Sequence, residues 1–411
     1  MAILRCAWLQ FRGTLDSALD CPRHTLEASP LDPVAHTLTG AALAAAGLRR
    51  VTPLATAALI IGANAPDIDV VTMLAGDWFA TAHRRGWTHG LPALVVLPFL
   101  VTGVLLLWDR YVRRRRQPMV PPARARALLA VAAIGVVSHP VLDWLNNYGM
   151  RWLMPFDDRW FYGDALFIID PWVWLVLGGA AVACWSSTRA ALCAWVVFWA
   201  LASGLVLTSA LVPLPAKGVW LAGLLAVGVV RWRAPRAEPV ARVALVGVAL
   251  YMGASIVANA PARAEVRATL QAMGLDATGD VMVSPVPADP LAGFVVAETA
   301  EGYLLGDWHW RQRPRFEAQR MIRGERPGDV RFDAASAALP AQRFLSWARF
   351  PYAQVDREGD GWRVRFGDAR YANIDAGVGI GPTVYLDASL KVCIDEVTLT
   401  RPRTASPEDR S

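Results

Sequence analysis

Residues 91–107 read LPALVVLPFLVTGVLLL, and the nine residues that follow, WDRYVRRRR, end in four consecutive arginines. An uncharged run of this kind approaches the roughly 20 residues that an α-helix needs to cross a bilayer. A dense arginine loop directly after such a run is typical of the cytoplasmic side of a membrane protein. This stretch therefore predicts a membrane-spanning helix that ends in a cytoplasmic loop.

The composition of the whole chain agrees with a membrane protein. Of its 411 residues, 55% are hydrophobic and only 18% are charged, and the mean hydropathy is +0.32. Such values are unusual for a soluble protein of this length. Further apolar runs are found at 127–142, 165–185, 190–212, 218–230 and 241–260. Two shorter runs, 36–48 and 54–65, predict buried or half-spanning helices.

The net charge of +6 is concentrated in loops between the apolar runs. Arginine-rich segments at 49–53, 109–126 and 231–240 follow the positive-inside pattern, so we expect a membrane lipid as partner and no nucleic acid. If these three loops are cytoplasmic, the alternation of the helices places the loops at 66–90 and 143–164 on the outer side. The residues after 261 are then extracytoplasmic.

The tail from residue 262 differs in kind from the apolar region. Its charge density is normal, and short apolar runs such as Phe294–Val296, Tyr303–Leu305 and Trp362–Phe366 are separated by turn residues. The sequence therefore predicts a mainly α fold: a polytopic α-helical membrane bundle followed by a small extracytoplasmic domain rich in antiparallel β-strands. We expect a flexible extension over 1–30, the membrane domain over 31–261 and the β-rich domain over 262–411.

Histidines and aspartates collect at the predicted outer ends of the apolar helices. Four of the six histidines lie between residues 36 and 139, and the group comprises His36, Asp67, Asp69, His83, His89, His139 and Asp143. Imidazole and carboxylate are ligands for divalent metals, and ionisable groups inside a membrane domain need a partner. The sequence therefore predicts a metal site. No CxxC pair is present, so a thiolate zinc site is not indicated.

Local spacing sharpens this prediction. His139 and Asp143 stand at i and i+4, which places both side chains on one helix face. Asp67 and Asp69 follow an apolar helix, with Asp69 either a second ligand or the group that holds a histidine N–H. Thr88 precedes the next membrane run as a possible helix cap. A polar pair satisfied inside the bundle remains the alternative for His139 and Asp143.

Four blocks of the chain resemble the YdjM-like family of predicted inner-membrane, metal-dependent hydrolases, whose function is inferred from likeness to zinc-dependent phospholipases and nucleases. The blocks are DPVAH (32–36), PDID (66–69), RGWTH (85–89) and SHPVLD (138–143), and the resemblance covers roughly residues 31–175. It implies a location in the bacterial inner membrane. It also implies His36, Asp67, Asp69, His89, His139 and Asp143 as site residues, and it adds Asp164 as a metal ligand. His83 stays open, because the family block often reads HRG and here an extra arginine separates His83 from Gly86. Asp170 also stays open, because an ion pair or a hydrogen bond to the backbone freed by Pro171 would explain it equally well.

The chemistry expected of such a site is hydrolysis. One or two divalent ions, zinc by preference, would suit displacement at a phosphoester, in a small-molecule or lipid-linked substrate at the membrane surface. We assign Asp69 as general base and Arg85 as the group that binds a phosphate, with Arg84 as an alternative. Two other functions remain open: a noncatalytic envelope protein with a structural metal, and an ion transporter.

Overall fold

The computed structural model describes residues 32–233, 237–372 and 380–393. The predicted extension over 1–30 lies outside these ranges. Among the described residues, the fold is the predicted one, with apolar helices followed by antiparallel strands. The helices are α1 Pro33–Ala45, α2 Ala55–Asn64, α3 Asp77–His83, α4 Leu91–Trp108, α5 Ala125–Trp144, α6 Pro171–Trp185, α7 Arg189–Thr208, α8 Leu214–Arg233 and α9 Ala237–Ala272.

Within the described residues, six segments are long and apolar enough to cross a membrane. The predicted lengths of two helices were wrong. The run at 54–65 is not too short, because a 3-10 helix over Ala65–Ala75 continues α2 into a segment of 21 residues. The run at 165–185 provides only the 15-residue helix α6, because Asp170 accepts hydrogen bonds from the backbone N–H groups of Trp172 and Val173 and so caps the helix at Pro171.

The three basic loops meet at one end of the bundle. Arg124 N donates to Thr52 Oγ1 at 2.8 Å, Arg50 pairs with Glu238 at 2.6 Å, and Arg242 donates to the carbonyl of Ala46 at 3.0 Å. We call this the basic end. Helix α5 starts there and, at about 1.5 Å per residue over its 20 residues, carries its last turn about 30 Å away.

Helices α2 and α5 pack closely because glycine faces the opposite backbone. A Cβ atom at Gly135 would lie 2.7 Å from the carbonyl oxygen of Leu59, and one at Gly62 would lie 2.9 Å from that of Ala132. Small residues at these positions let the two backbones approach, as in other membrane bundles. This approach determines how the far ends of α2 and α5 face each other, which is where the candidate ligands lie.

The strands follow α9, which continues without a break through residue 261 to Ala272. One sheet has the order β1-β2-β3-β4, and the other has the order β5-β6-β7 with antiparallel pairing. The strands are β1 Ala277–Val286, β2 Asp289–Thr299, β3 Gly302–His309, β4 Phe316–Ile322, β5 Pro351–Glu358, β6 Gly361–Asp368 and β7 Thr383–Leu386; two short helices, α10 Val330–Ser336 and α11 Leu339–Leu345, lie between β4 and β5.

The described chain divides into two compact units. One runs from α1 to Ala300 and includes Leu304–Arg320, and the other comprises Glu301–Tyr303 and the described residues from Met321 onward. The candidate ligands belong to the first unit.

Candidate metal centre

Four side chains converge at the end of the bundle opposite the basic end. They are Asp67, His89, His139 and Asp143, and each offers a ligand atom within 4.8 Å of the others. Asp67 lies on the 3-10 helix that continues α2, His89 precedes α4, and the other two lie on the last turns of α5. All but Asp67 are fully buried, and the Asp67 side chain is 13% exposed.

Five of the six separations between the ligand atoms lie near those expected around a tetrahedral ion. His89 Nε2 lies 3.1 Å from His139 Nε2 and 3.2 Å from Asp143 Oδ2. His139 Nε2 lies 3.5 Å from Asp143 Oδ2, and Asp67 Oδ1 is 3.6 Å and 4.0 Å from the His139 and His89 Nε2 atoms. Ligand bonds of about 2.1 Å to zinc in tetrahedral geometry separate neighbouring ligands by about 3.4 Å.

The hydrogen bonds of the outer ring nitrogens leave both Nε2 atoms bare in the neutral rings. His139 Nδ1 lies 2.7 Å from the carbonyl oxygen of Ala63, to which it must donate. Thr88 Oγ1 donates to Asp69 Oδ2 at 3.0 Å, so its oxygen accepts from His89 Nδ1 at 2.9 Å. The facing Nε2 lone pairs then repel each other unless a cation lies between them.

Two buried carboxylate oxygens at the same point have no hydrogen-bond partner: Asp67 Oδ1 and Asp143 Oδ2. An unsatisfied buried carboxylate oxygen is costly. Both oxygens face the bare histidine nitrogens, and His and Asp are ligands typical of zinc and similar ions. The residues present therefore fit a divalent metal.

Asp69 holds in place the residues that surround the candidate ligands. It accepts from the backbone N–H of Arg85 at 2.9 Å and from Thr88, and Arg84 Nε lies 3.4 Å from its other oxygen. Of the two roles that the sequence left open, ligand or holder of a histidine, this geometry fits the holder, with Thr88 as the intermediate. Thr88 is not the predicted helix cap, because the N-cap of α4 is Gly90.

Arg85 is buried and faces Asp143. Its Nη2 lies 3.0 Å from Asp143 Oδ1, and its Nη1 donates to Asn146 Oδ1 and to the carbonyl of Gly149. The guanidinium also lies 4.6 Å from the centre of the Tyr148 ring. The backbone of Arg85 has a positive φ of 51°, a conformation unusual for a residue with a side chain. These contacts orient the ligand Asp143.

His36 adjoins the four ligands without belonging to their group. Its ring stacks on the His139 ring at 3.7 Å between centres, and its Nε2 lies 3.4 Å from Asp143 Oδ1. A cavity of about 30 Å³ borders Asp32, His36, Arg85, Asp143 and Asp170. This volume is enough for about two water molecules beside Asp143.

The cavity also has two helix-capping carboxyls, Asp32 and Asp170. Burial raises the pKa of Asp32 to about 7, although Ala35 N–H and the Trp174 indole N–H donate to it. Burial likewise raises the pKa of Asp170, against hydrogen bonds from Tyr251 and the α6 backbone. Of the two residues that stayed open, Asp170 thus caps α6 and borders the site.

The structure places Asp164 and His83 away from the four ligands. Asp164 is fully buried and forms an ion pair with Arg263 of α9, while Asn259 donates to its carbonyl at 2.8 Å. His83 is exposed, stacks on Phe79 and bonds the Phe79 carbonyl through Nδ1 at 2.8 Å. The metal role expected of Asp164 is therefore not reproduced by the geometry, because its carboxylate neutralises an arginine that the local sequence did not show.

Comparison with known proteins found a family model that matches this region. Residues 31–213 match the family model described as YdjM inner membrane protein. This part of the chain is similar to the YdjM family. The resemblance seen in the four blocks is confirmed, and the family is described as one of inner membrane proteins.

One curated relative matches part of the chain. It is the uncharacterized protein YfhP of Bacillus subtilis (strain 168), 28% identical over 128 residues, which are 31% of this chain and 36% of the relative. The chain thus spans about a third of the length of that relative. No solved structure matches.

The sequence missed several residues that position the ligands. Thr88 and Asn146 are the clearest, because each holds a charged or ligating side chain through a hydrogen bond. Thr88 stands inside the RGWTH block, which was the one available signal. Nothing local to Asn146 or to the Ala63 carbonyl distinguishes them from other polar groups at helix ends.

Proposed function

We propose that this protein is a membrane-bound, metal-dependent hydrolase that acts on a phosphoester, in a small-molecule or lipid-linked substrate at the membrane surface. The observation that carries the proposal is the convergence of two bare Nε2 atoms and two unpartnered carboxylate oxygens. Asp67, His89, His139 and Asp143 would hold one zinc ion. Such an ion supplies Lewis acidity toward a phosphoryl oxygen and activates water.

The protein's own residues prepare this site. Asp69 and Thr88 fix the ring of His89, Ala63 fixes that of His139, and Arg85 fixes Asp143. Because Asp69 and Arg85 are already bonded in this way, we now assign them to positioning the ligands instead of to general base catalysis and phosphate binding. The cavity beside Asp143 offers room for the water that hydrolysis consumes.

The placement of the site supports a substrate at the extracytoplasmic surface of the membrane. The arginine loops meet at one end of the bundle, and the ligands lie at the other. The positive-inside rule makes the basic end cytoplasmic. Helix α9 starts at the basic end and contacts Asp164 through Arg263 before it ends at Ala272, so the strands after it would also be extracytoplasmic.

A structural metal in a noncatalytic protein is the second candidate, and one observation favours it. Four protein ligands already complete a tetrahedral zinc site, whereas catalytic zinc usually has three ligands and a water. The ion transporter has less support. The four candidate ligands lie together at one end of α5, while Arg124, its N-cap, and Arg126, in its first turn, lie at the basic end.

Elemental analysis of the detergent-purified chain tests metal binding. We expect about one ion per chain after reconstitution with zinc, its loss in the His139→Ala, Asp143→Ala double variant, and its retention in His83→Ala, which removes an exposed histidine outside the site. No metal in the wild type would overturn the proposal. Two ions, one of which is lost in His36→Ala, would contradict the single-ion site and place a second ion between His36 and Asp143.

Hydrolysis of a panel of phosphomonoesters, phosphodiesters and phospholipids then separates the two candidates. A catalytic site predicts turnover by the wild type and His83→Ala, and none by the double variant. A stoichiometric metal with no turnover on any member of the panel, together with a fall in thermal stability on chelation, would support the structural candidate instead.

A further inference from the structure

A second charged surface lies at the basic end. Arginines follow α4 and begin α5, while the loop between them is tied to one buried carboxylate. Asp109 accepts from the backbone N–H of Ala123 at 3.0 Å and pairs with Arg113 and Arg114. Arg113 also donates to the Pro121 carbonyl at 3.0 Å. These bonds hold the loop between α4 and α5 in a fixed conformation and bring the end of α4 close to the start of α5.

Four other arginines in this region are exposed to solvent. We call them the arginine patch: Arg110, Arg115, Arg116 and Arg126. Arg110 and Arg115 each lie 5.4 Å from the centre of the Tyr111 ring. Among the described residues, none of the four forms an ion pair, because Asp109 is occupied by Arg113 and Arg114. Clustered like charges without counter-charges repel one another, and an external anion would offset that repulsion.

The neighbours of the patch place it at a membrane surface. Helix α4 is 18 residues long and exposes Val104 and Leu107 by 64% and 58%, as expected of a lipid-facing helix. Trp108 and Tyr111, at the end of that helix, are 52% and 48% exposed. Aromatic side chains are enriched at the level of the lipid headgroups. The arginines beside them therefore lie where lipid phosphates are found.

We propose that the arginine patch binds the headgroups of anionic phospholipids. Guanidinium groups bind phosphate through paired N–H donors, and each basic residue near an anionic membrane surface contributes about 1 kcal/mol, or about fivefold in binding. A nucleic acid is less favoured, because the exposed apolar side chains next to the patch need lipid around them. The patch lies at the opposite end of α5 from the metal ligands and is independent of the proposed function.

Native mass spectrometry of the full chain in a neutral detergent tests this proposal. We expect the wild type to retain phosphatidylglycerol in preference to phosphatidylcholine. The variant R110Q/R115Q/R116Q/R126Q should retain at least about tenfold less phosphatidylglycerol. The control R267Q/R311Q/R320Q/R357Q removes the same charge from exposed arginines elsewhere and should behave as the wild type.

Three results would overturn the proposal: equal retention of the two lipids by the wild type, an equal loss in the control variant, or binding of a duplex oligonucleotide that phosphatidylglycerol does not displace. If the fourfold variant fails to fold, R115Q/R116Q replaces it, with R267Q/R311Q as its control. The lipid preference of the wild type, and its loss at high salt, are measured without any variant.

Discussion

His139 on α5 donates through Nδ1 to the carbonyl oxygen of Ala63 on α2, over 2.7 Å. This bond exists because α2 and α5 approach closely at Gly62 and Gly135. The packing of two apolar helices thus determines the tautomer and the orientation of a candidate metal ligand.

Gly135→Ala should therefore weaken metal binding although it alters no ligand. The added Cβ would lie 2.7 Å from the Leu59 carbonyl oxygen, so the helices must separate and Ala63 must move away from His139. We expect at least about a tenfold loss of metal affinity, as for other groups that support metal ligands. Competition titration with a zinc chelator measures it. Gly103→Ala, where a Cβ meets no atom within 4 Å, is the control and should bind as the wild type does.

Replacement of Arg85 tests its role in holding Asp143. Arg85→Gln removes the 3.0 Å ion pair to Asp143 Oδ1, so we expect about a tenfold to hundredfold loss of metal affinity. The exposed Arg116→Gln should leave the affinity unchanged. An Arg85→Gln protein that binds metal normally but has lost turnover would instead restore the phosphate-binding role first expected of Arg85.

The hydroxyl of Thr88 connects Asp69 to His89. Thr88→Val removes the oxygen that accepts from Nδ1 while keeping the shape of the side chain, so metal affinity should fall by about tenfold. Thr88→Ser keeps the hydroxyl and should retain most of the affinity, as measured by the same chelator competition. Equal affinities of the two variants would show that Thr88 does not orient His89.

Asp164 should matter for stability and not for metal content. Asp164→Asn leaves the partly exposed Arg263 without its buried counter-charge, so the variant should be less stable than the wild type. We expect a lower thermal midpoint in detergent and an unchanged metal content by elemental analysis. Loss of one ion per chain at an unchanged thermal midpoint would return Asp164 to the ligand set.

Asp32 should make stability depend on pH. Burial raises its pKa from 3.8 to about 7 in the folded chain, so between these values the folded state binds more protons than the unfolded state does. Its contribution to stability is complete below about pH 4 and is lost as the pH rises through 7. Asp32→Asn should therefore reduce the fall of the thermal midpoint between pH 5 and about pH 8. The exposed Asp360→Asn should retain the wild-type slope.

Sequence alone predicted the membrane helices, the strand-rich tail and most of the residues that the structure brings together as candidate ligands. Apolar runs near the length of a bilayer have few alternatives to a spanning helix, and the i, i+4 spacing of His139 and Asp143 is a local property of such a helix. The end of the bundle at which the ligands gather also followed from the arginine loops, because their alternation depends only on the order of the helices.

The tertiary structure decided which polar residues bind each other. Asp164 was predicted as a metal ligand, but it lies away from the candidate ligands and pairs with Arg263, which is 99 residues away in the sequence. Asp69 and Arg85 turned out to support ligands because their partners, Thr88 and Asp143, reach them only after α2, α4 and α5 have packed. Spacing along a helix reveals a shared face, but the partner across a helix interface depends on how closely two backbones approach, and here that distance is set by Gly62 and Gly135.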